Sequence, residues 1–292
     1  MLTAADIISE PFKLTTPDGL IIRGQVDRPQ RPVRCRCILV PAYGLSLLDL
    51  AAPAYYLLSN GFEVVRFDPT RHVGRSDGDI ADFTMSRFAA DLELVLDRFA
   101  TPETAVLAIS LSARAALRAL AGRKLVGAFL LSPVVNTRRT LLAVTGEDLI
   151  GKHVEGTVGD TYEVLGFVVR RTFCSDCVDA GFADVKSATA DAARLVAPTW
   201  LIAGTHDQWV EFDEVRQVAA AIRTARLVSL RGANHQIFRS PTIMHAYLRE
   251  TLTEMLRAFA VDEPAEVPAF KDVVRFVSQF KRADGLLADG AR

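Results

Sequence analysis

Short apolar runs alternate with longer amphipathic stretches along most of this chain. The short runs have the length and composition of β-strands, and Thr84 can cap a stretch with apolar residues at helical spacing. Strands are predicted over residues 34–41, 62–67, 105–109, 125–131, 199–203 and 226–230, and helices over residues 48–59, 84–99, 111–120, 213–224 and 244–259. This alternation predicts a mostly parallel sheet with helices on both faces.

The alternation changes in three places. A turn at residues 17–19 between two strand-like stretches predicts a β-hairpin at a sheet edge. Residues 136–195 are predominantly helical in character and are predicted to form a cap over the C-terminal edge of the sheet, where ligands bind in open α/β folds. The tail, residues 263–292, has apolar residues that would form a docked amphipathic helix. The core is therefore predicted to comprise residues 1–135 and 196–262.

One stretch, residues 104–120, passes from a predicted strand to a predicted helix with no Gly, Pro or Asn between them. Such a corner is typical of a nucleophile elbow, which exposes a serine hydroxyl and needs small residues two positions before and after it. Ser110 has the small neighbours Ala108 and Ser112. If Ser112 were the nucleophile, the long Arg114 would crowd the elbow, so residue size favours Ser110. Alternatively, both serines only satisfy local backbone groups.

A serine nucleophile needs a general base, and the base needs an acid to orient it. In α/β-hydrolases the acid and then the histidine follow the serine, each on the loop after a strand. Asp207 follows the predicted strand that ends at Ala203, and His235 follows the one that ends at Leu230. Each alone is typical of a turn or solvated loop, but together they predict a triad with Ser110. The other histidines fit this order less well, namely His72, His153, His206 and His245.

The chemistry of such a triad is acyl transfer through a covalent serine. His235 would accept the Ser110 proton as the hydroxyl attacks an acyl carbonyl, and Asp207 would hold the imidazole tautomer and stabilise the imidazolium. The backbone N–H groups of Leu111 and Tyr43 are expected to bind the oxyanion. One such donor is typically worth ~3 kcal/mol in the transition state. No metal or cofactor is expected.

The composition limits the classes of partner. The chain has 292 residues, 50% of them hydrophobic, so it can bury the core of one large domain. Its 34 basic and 35 acidic residues leave a net charge of −1, which favours neither nucleic acid nor an anionic membrane. No apolar run approaches the ~20 residues of a membrane span. The N-terminus lacks the basic start of a signal peptide, so a cytoplasmic protein is expected.

Four cysteines form two closely spaced pairs, Cys35 with Cys37 and Cys174 with Cys177. The first pair lies in a predicted strand, where both side chains would face one side as small apolar residues. A four-thiolate zinc site or a redox-active second pair is the alternative. Because C-x-C in a strand is poor zinc geometry and no thioredoxin-like context is present, reduced and unlinked thiols are expected.

Several segments resemble the acyl carrier protein thioesterase (acyltransferase) family of the luminescence operon of luminous bacteria, which has the α/β-hydrolase fold. They run in register over about residues 10 to 260, at residues 60–62, 72–74, 82–85, 108–114, 207–210 and 232–235. The A-x-S-x-S elbow at residues 108–112 is the most specific, because that family departs from G-x-S-x-G in the same way and uses its first serine. The resemblance implies an α/β-hydrolase with Ser110 as nucleophile, Asp207 as acid and His235 as base.

That family takes long-chain acyl groups, typically from acyl carrier protein, onto the serine and releases them to water or another acceptor. The resemblance therefore implies a fatty acyl thioester substrate carried by acyl carrier protein or CoA. The cap matches the family weakly, and residues 174–177 depart from it, so chain length and acceptor stay open. Two alternatives remain: a general carboxylesterase with a short or open pocket, and a non-catalytic hydrolase-fold protein that binds an apolar ligand.

Overall fold

The computed structural model describes residues 2–3, 6–261 and 265–283, without the side chains of residues 270 and 280–283. Its main element in this part of the chain is an eight-stranded sheet, and a second sheet has two strands. The strands are β1 (Ile7–Thr15), β2 (Ile21–Pro29), β3 (Cys35–Val40), β4 (Phe62–Asp68), β5 (Thr104–Ile109), β6 (Gly127–Leu131), β7 (Thr161–Val164), β8 (Phe167–Arg170), β9 (Thr199–Gly204) and β10 (Ala225–Leu230).

Helices connect most of these strands. They are α1 (Ala51–Leu58), α2 (Met85–Phe99), α3 (Leu111–Ala119), α4 (Thr137–Thr145), α5 (Leu149–Val154), α6 (Thr172–Asp179), α7 (Val185–Ala192), α8 (Phe212–Ala221), α9 (Pro241–Ala258) and α10 (Phe270–Ala283). A short 3-10 turn, Ile80–Asp82, precedes α2. Thr84 caps α2 as predicted, because its side chain accepts a hydrogen bond from the Arg87 N–H.

The large sheet has the strand order β1-β2-β4-β3-β5-β6-β9-β10. Strands β4, β3, β5, β6, β9 and β10 are mutually parallel, whereas β2 is antiparallel to both β1 and β4. Every residue of β5 and of β9 is buried, as expected for parallel strands covered on both faces. The predicted fold class, a mostly parallel sheet flanked by helices with a hairpin at one edge, is confirmed.

Alternate residues of each central strand face two different hydrophobic layers. In β3, Ile38 and Val40 pack in the layer that contains α2, α3 and α8. Cys37 and Leu39 pack in the opposite layer, which contains α1 and α9. This period of two follows from the pleat of a strand and explains why the central strands are apolar throughout.

Two helices begin three residues away from their predicted starts. Helix α1 begins at Ala51 rather than at residue 48, because residues 47–50 form a turn. Helix α9 begins at Pro241 rather than at residue 244. Ser240 accepts a hydrogen bond from the Ile243 N–H, and proline is favoured in the first helical turn, where its missing N–H would have no partner.

The segment between β6 and β9 is not helical throughout, so the expectation of a predominantly helical cap is only partly met. It contains α4, α5, α6 and α7, but also the antiparallel hairpin β7–β8. The hairpin turns at Leu165 and Gly166, both with positive φ (54° and 87°). A two-residue turn of this hand matches the twist of the two strands. Arg170 in β8 pairs with Asp82 and so joins the hairpin to the 3-10 turn.

The C-terminal helix α10 packs on α1. Phe276 is buried with its ring centroid 4.6 Å from that of Tyr55, and Val273 is buried beside it. Residues 284–292 of the tail lie outside the described part of the chain. The division into core, cap and tail at residues 136, 196 and 263 stays a prediction.

All four cysteines are buried and unlinked. Cys35 and Cys37 lie in one hydrophobic layer, and Cys174 and Cys177 lie in the other. Among the described residues, no cluster of three or more His, Cys, Asp or Glu side chains could hold a metal ion. None of the helices in the described ranges combines the length and the apolar character needed to cross a bilayer.

Candidate active site

The chain turns sharply at Ser110, between the end of β5 and the start of α3. Ser110 has φ 62° and ψ −121°, a region that non-glycine residues rarely adopt, and its N–H donates to the carbonyl of Leu131. Residues held in such conformations typically carry a cost of ~1–3 kcal/mol and often lie in active sites. The predicted strand-to-helix corner therefore has the backbone of a nucleophile elbow.

Ser112, the competing serine, has a different position. It is fully buried, and its Oγ accepts the Ile109 N–H at 2.8 Å while lying 2.9 Å from the Ile109 carbonyl and 3.3 Å from that of Val40. Its hydroxyl is therefore engaged by the backbone around the elbow. This is the local role that the sequence allowed for both serines, and in the structure it falls to Ser112 alone.

Arg114 is directed toward the cap and is fully buried. Its guanidinium donates to the Asp191 carboxylate at 2.8 Å and to the Gly181 carbonyl at 2.7 Å. It also lies over the ring of Phe182, 4.8 Å from the centroid. With Ser110 at the corner, Arg114 connects α3 to α7, and the crowding expected for a Ser112 nucleophile stays a prediction.

The three predicted triad side chains lie together at the carboxyl ends of three parallel strands, β5, β9 and β10. Ser110 Oγ is 2.7 Å from His235 Nε2, and His235 Nδ1 is 2.7 Å from Asp207 Oδ2. Asp207 follows β9, and His235 follows β10. Only 5% of the His235 side chain and 2% of that of Asp207 is exposed, which strengthens the ion pair that forms when the imidazole is protonated.

The Asp207 carboxylate is held by several donors. Its Oδ1 accepts the backbone N–H groups of Trp209 (2.9 Å) and Val210 (3.0 Å), and its Oδ2 accepts from His235. Burial raises the pKa of Asp207, but hydrogen bonds from His235 and other donors outweigh burial and hold this pKa below its usual range. The ring centroid of Trp209 lies 4.7 Å from that of His235, so the two rings are in contact.

Two residues behind the triad, Ser132 and Tyr247, were not predicted from the sequence. Ser132 Oγ donates a hydrogen bond to Asp207 Oδ2 and lies 3.3 Å from both His235 Nδ1 and the Tyr247 hydroxyl. Ser132 follows β6, so it shares with Ser110, Asp207 and His235 a place at the carboxyl end of a parallel strand. The sequence already indicates this position, because the strand predicted over residues 125–131 ends directly before Ser132.

The predicted oxyanion donors, Tyr43 and Leu111, line the same cleft as Ser110. Within the described part of the chain, no backbone carbonyl accepts the N–H of Tyr43 or of Leu111. Both donors are thus available to a ligand atom beside Ser110.

His72 supports the loop that carries Tyr43. The N–H of Gly44 donates to His72 Nε2 at 3.1 Å, so this nitrogen is the acceptor of a neutral imidazole. Burial lowers the pKa of His72 to about 4, which keeps the ring neutral. Gly44 itself has φ 75°, and a Cβ there would lie 2.6 Å from the Phe167 ring. Glycine is therefore required for the close approach of the hairpin to this loop.

Two clefts meet at Ser110. One, the apolar cleft, lies under the cap and is lined by Tyr43, Ser110, Leu111, Val134, Thr137, Thr140, Leu141, Val144, Val164, Leu165, Phe173 and Trp209. The second, the mixed cleft, has more polar groups and is lined by Ala42, Tyr43, Gly44, Leu45, Ile109, Ser110, Leu165, Phe167, Trp209, His235, Gln236, Ile237, Phe238 and Arg239. Leu165, at the tip of the β7–β8 hairpin, contributes to both.

The sheet order and the sharp turn at Ser110 define the class of protein. The structure superimposes on the alpha/beta hydrolase domain-containing protein 10 from mouse with a TM-score of 0.67 and 16% identity, covering 85% of this chain and 98% of that one. At this identity the likeness concerns the fold alone. The protein is an α/β-hydrolase by fold.

Sequence comparison identifies the family. Residues 26–265 match the acyl transferase family model, and the chain belongs to this family. It is 31% identical over 218 residues to an acyl transferase of Photorhabdus luminescens, covering 72% of this chain and 70% of the relative. It is 30% identical over 224 residues to the acyl transferase of Vibrio harveyi, covering 74% and 73%. The resemblance found in the sequence motifs is confirmed, and acyl transfer or hydrolysis is the general activity of the chain.

Proposed function

We propose that this protein is a serine-dependent acyl hydrolase or acyltransferase that cleaves long-chain fatty acyl thioesters. The observation that carries the proposal is the hydrogen-bonded series Ser110–His235–Asp207, with 2.7 Å at both links, next to the apolar cleft. A hydroxyl activated by an oriented imidazole is what acyl transfer through a covalent serine requires.

In the acylation step, Ser110 Oγ attacks the thioester carbonyl carbon while His235 Nε2 takes the hydroxyl proton. The carbonyl oxygen becomes an oxyanion and accepts the N–H groups of Tyr43 and Leu111. The carbon–sulfur bond then breaks, and the His235 imidazolium gives the proton to the departing sulfur. The products of this step are an acyl-serine and a free thiol.

In the second step, water or another hydroxyl or thiol acceptor attacks the acyl-serine and gives its proton to His235 Nε2. The Ser110 oxygen leaves as the carbonyl re-forms, and it takes that proton back. The acyl group departs as a free acid or as a new ester or thioester. In both steps, Asp207 holds the imidazole tautomer and stabilises its cation.

The apolar cleft supports an acyl chain as the ligand. Its two threonines present no free hydroxyl, because Thr137 Oγ1 donates to the Phe182 carbonyl at 2.8 Å and Thr140 Oγ1 donates to that of Trp209 at 2.9 Å. Their methyl groups are thus the parts left to face a ligand. A buried methylene contributes about 0.8 kcal/mol, so a cleft of this composition favours longer chains.

The mixed cleft is the place proposed for the thiol carrier. Gln236 and Arg239 line it and are exposed, so they can meet the amide and phosphate groups of a carrier arm. With the chain in the apolar cleft and the arm in the mixed cleft, the thioester carbonyl lies at Ser110, where the two clefts meet. Acyl carrier protein and CoA present the same kind of arm.

The test is hydrolysis of acyl-CoA and acyl carrier protein thioesters from roughly four to eighteen carbons. The proposal expects turnover that rises with chain length to a maximum at long chains and that is lost in Ser110→Ala. Turnover confined to short oxoesters would instead indicate a general carboxylesterase of this fold.

A fluorophosphonate probe tests the nucleophile independently of the substrate. The proposal expects covalent labelling of the wild type at Ser110, with none in Ser110→Ala. Failure of the folded wild type to react with the probe or any thioester would favour the third possibility, a non-catalytic protein that binds an apolar ligand.

A further inference from the structure

A chain of hydroxyl groups lies behind the catalytic acid. Ser132 follows β6, which lies in the sheet between β5 and β9, so it is located between the strands that carry Ser110 and Asp207. Its side chain is fully buried. The Tyr247 hydroxyl, on the buried face of α9, lies 3.3 Å from Ser132 Oγ. The two hydroxyls thus extend the Ser110–His235–Asp207 series inward.

The chemistry of the groups determines the direction of these hydrogen bonds. Ionised Asp207 only accepts, so the single proton of Ser132 Oγ is directed to Asp207 Oδ2. The His235 Nδ1–H is directed to the same oxygen. The lone pairs of Ser132 Oγ are therefore left to accept the Tyr247 O–H. Ser132 and His235 thus both donate to Asp207 Oδ2. The hydrogen bond from Tyr247 polarises the Ser132 hydroxyl.

The backbone of Ser132 indicates that this side chain is held in place. Its φ is 43°, in the left-handed region that non-glycine residues seldom adopt, and it precedes Pro133, which further disfavours helical backbone at that position. The Ser132 N–H donates to the Ile202 carbonyl at 2.8 Å and thereby joins the loop to β9. Glycine would suit this φ better, so a serine at this position carries a conformational cost.

We propose that Ser132, supported by Tyr247, is a positioning residue that orients the Asp207 carboxylate toward His235. It acts through Asp207 and His235 and touches no substrate. With the backbone N–H groups of Trp209 and Val210 on Oδ1, Ser132 completes the set of donors that stop the carboxylate from rotating. The inference rests on the proposed function, since it requires the triad to be catalytic.

The test compares Ser132→Ala and Ser132→Gly with the wild type, using long-chain acyl-CoA hydrolysis and the rate of fluorophosphonate labelling. Because a hydrogen bond to a charged group is lost, kcat is expected to fall roughly 10-fold, and labelling to slow by a similar factor. KM should stay within about 2-fold, because no group that contacts the acyl chain has changed. Ser132→Gly removes the same hydroxyl but relieves the backbone, so it should lose activity without losing thermal stability.

Tyr247→Phe tests the second link of the chain. It should lower kcat roughly 3-fold on its own, the size of a neutral hydrogen bond. Added to Ser132→Ala, it should have no further effect, because Tyr247 acts only through Ser132. Effects that multiply in the double variant would overturn this part of the proposal.

Two matched variants serve as controls. Ser59→Ala removes another buried serine hydroxyl, and Tyr55→Phe removes another buried tyrosine hydroxyl, which donates to the Leu2 carbonyl. Both lie on or next to α1, outside the site, and should leave kcat unchanged. If the wild type is labelled at Ser110 but both Ser132 variants keep wild-type kcat and labelling rate, the positioning role is refuted while the proposed function stands. A wild type that is not labelled refutes the proposed function itself.

Discussion

His72 Nε2 accepts the backbone N–H of Gly44 at 3.1 Å, directly beside the proposed oxyanion donor Tyr43. The acceptor exists only while the imidazole is neutral, since a protonated ring has two donors and no acceptor. The buried ring of His72 is packed among the rings of Tyr43, Phe83 and Phe88. The placement of the oxyanion loop is thus linked to the protonation state of a histidine that is not in the triad.

Two replacements of His72 should show whether its hydrogen bond to the Gly44 N–H supports catalysis. His72→Phe removes the acceptor and should lower kcat by about 10-fold through a displaced Tyr43 N–H, a change comparable to a weakened oxyanion contact. His72→Gln keeps a carbonyl acceptor and should retain most of the activity. Steady-state kinetics on one long-chain thioester measures kcat for both variants. Equal losses of kcat in His72→Phe and His72→Gln would contradict the hydrogen-bond role.

The same residue should contribute to acid sensitivity. The folded-state pKa of His72 is about 4 and its ordinary value 6.5, so between these values the unfolded chain binds a proton that the folded chain does not. This contribution to stability is fully present above pH 6.5 and is lost as the pH falls toward 4. It amounts to at most about 3 kcal/mol.

Urea unfolding of the wild type and of His72→Gln at pH 7, 5.5 and 4.5 measures this contribution. The variant should lose less free energy of unfolding on acidification, because Gln does not titrate. His153→Gln, in the cap, is the matched control and should follow the wild type. If the free energy of unfolding falls equally with pH in all three proteins, His72 is not the cause of the acid sensitivity.

The two serines of the elbow should respond differently to alanine. Ser110→Ala should abolish acyl-enzyme formation and leave folding intact. Ser112→Ala should keep the nucleophile but lower the free energy of unfolding by about 1–3 kcal/mol, because the buried Ile109 N–H loses its acceptor. Fluorophosphonate labelling and urea unfolding on both variants test this, and loss of labelling in Ser112→Ala with the fold intact would reverse the assignment.

The apolar cleft should determine chain length. Val144 lines it, and Val144→Phe should reduce turnover of the longest chains by roughly 10-fold or more while sparing short ones, because the added ring occupies the cleft. Val154→Phe makes the same change at a cap residue that is 68% exposed and does not line the cleft. A chain-length profile unchanged in both variants would exclude this cleft as the acyl site.

The buried pair Arg114–Asp191 should stabilise the attachment of the cap to α3. Arg114→Met keeps apolar volume but leaves Asp191 paired only with Arg118, which donates to it at 2.9 Å. We expect a loss of about 2–4 kcal/mol in the free energy of unfolding, since a buried charge loses one of its partners. Arg123→Met, at the exposed pair with Asp97, should cost less than about 1 kcal/mol. Equal losses of unfolding free energy in the two variants would mean that the buried pair stabilises the fold no more than the exposed pair does.

Local patterns were sufficient for most of the fold. The central strands could be recognised because β5 and β9 are apolar without interruption, which only a strand covered on both faces tolerates. The hairpin β7–β8 was missed because its strands are only four residues long, and its turn depends on Leu165 adopting a positive φ. A leucine gives no signal of a positive φ in a sequence, since non-glycine residues seldom adopt that conformation.

The sequence by itself determined which residues could form the site. Ser110, Asp207 and His235 each follow an apolar run, and parallel strands bring their carboxyl ends to one edge of a sheet whatever the details of packing. Only the tertiary structure decided that Ser132 and Tyr247 lie behind Asp207, that Arg114 binds the cap, and that His72 supports Gly44. These contacts join residues far apart in the chain, and their partners are chosen by the packing of layers, which no local pattern encodes.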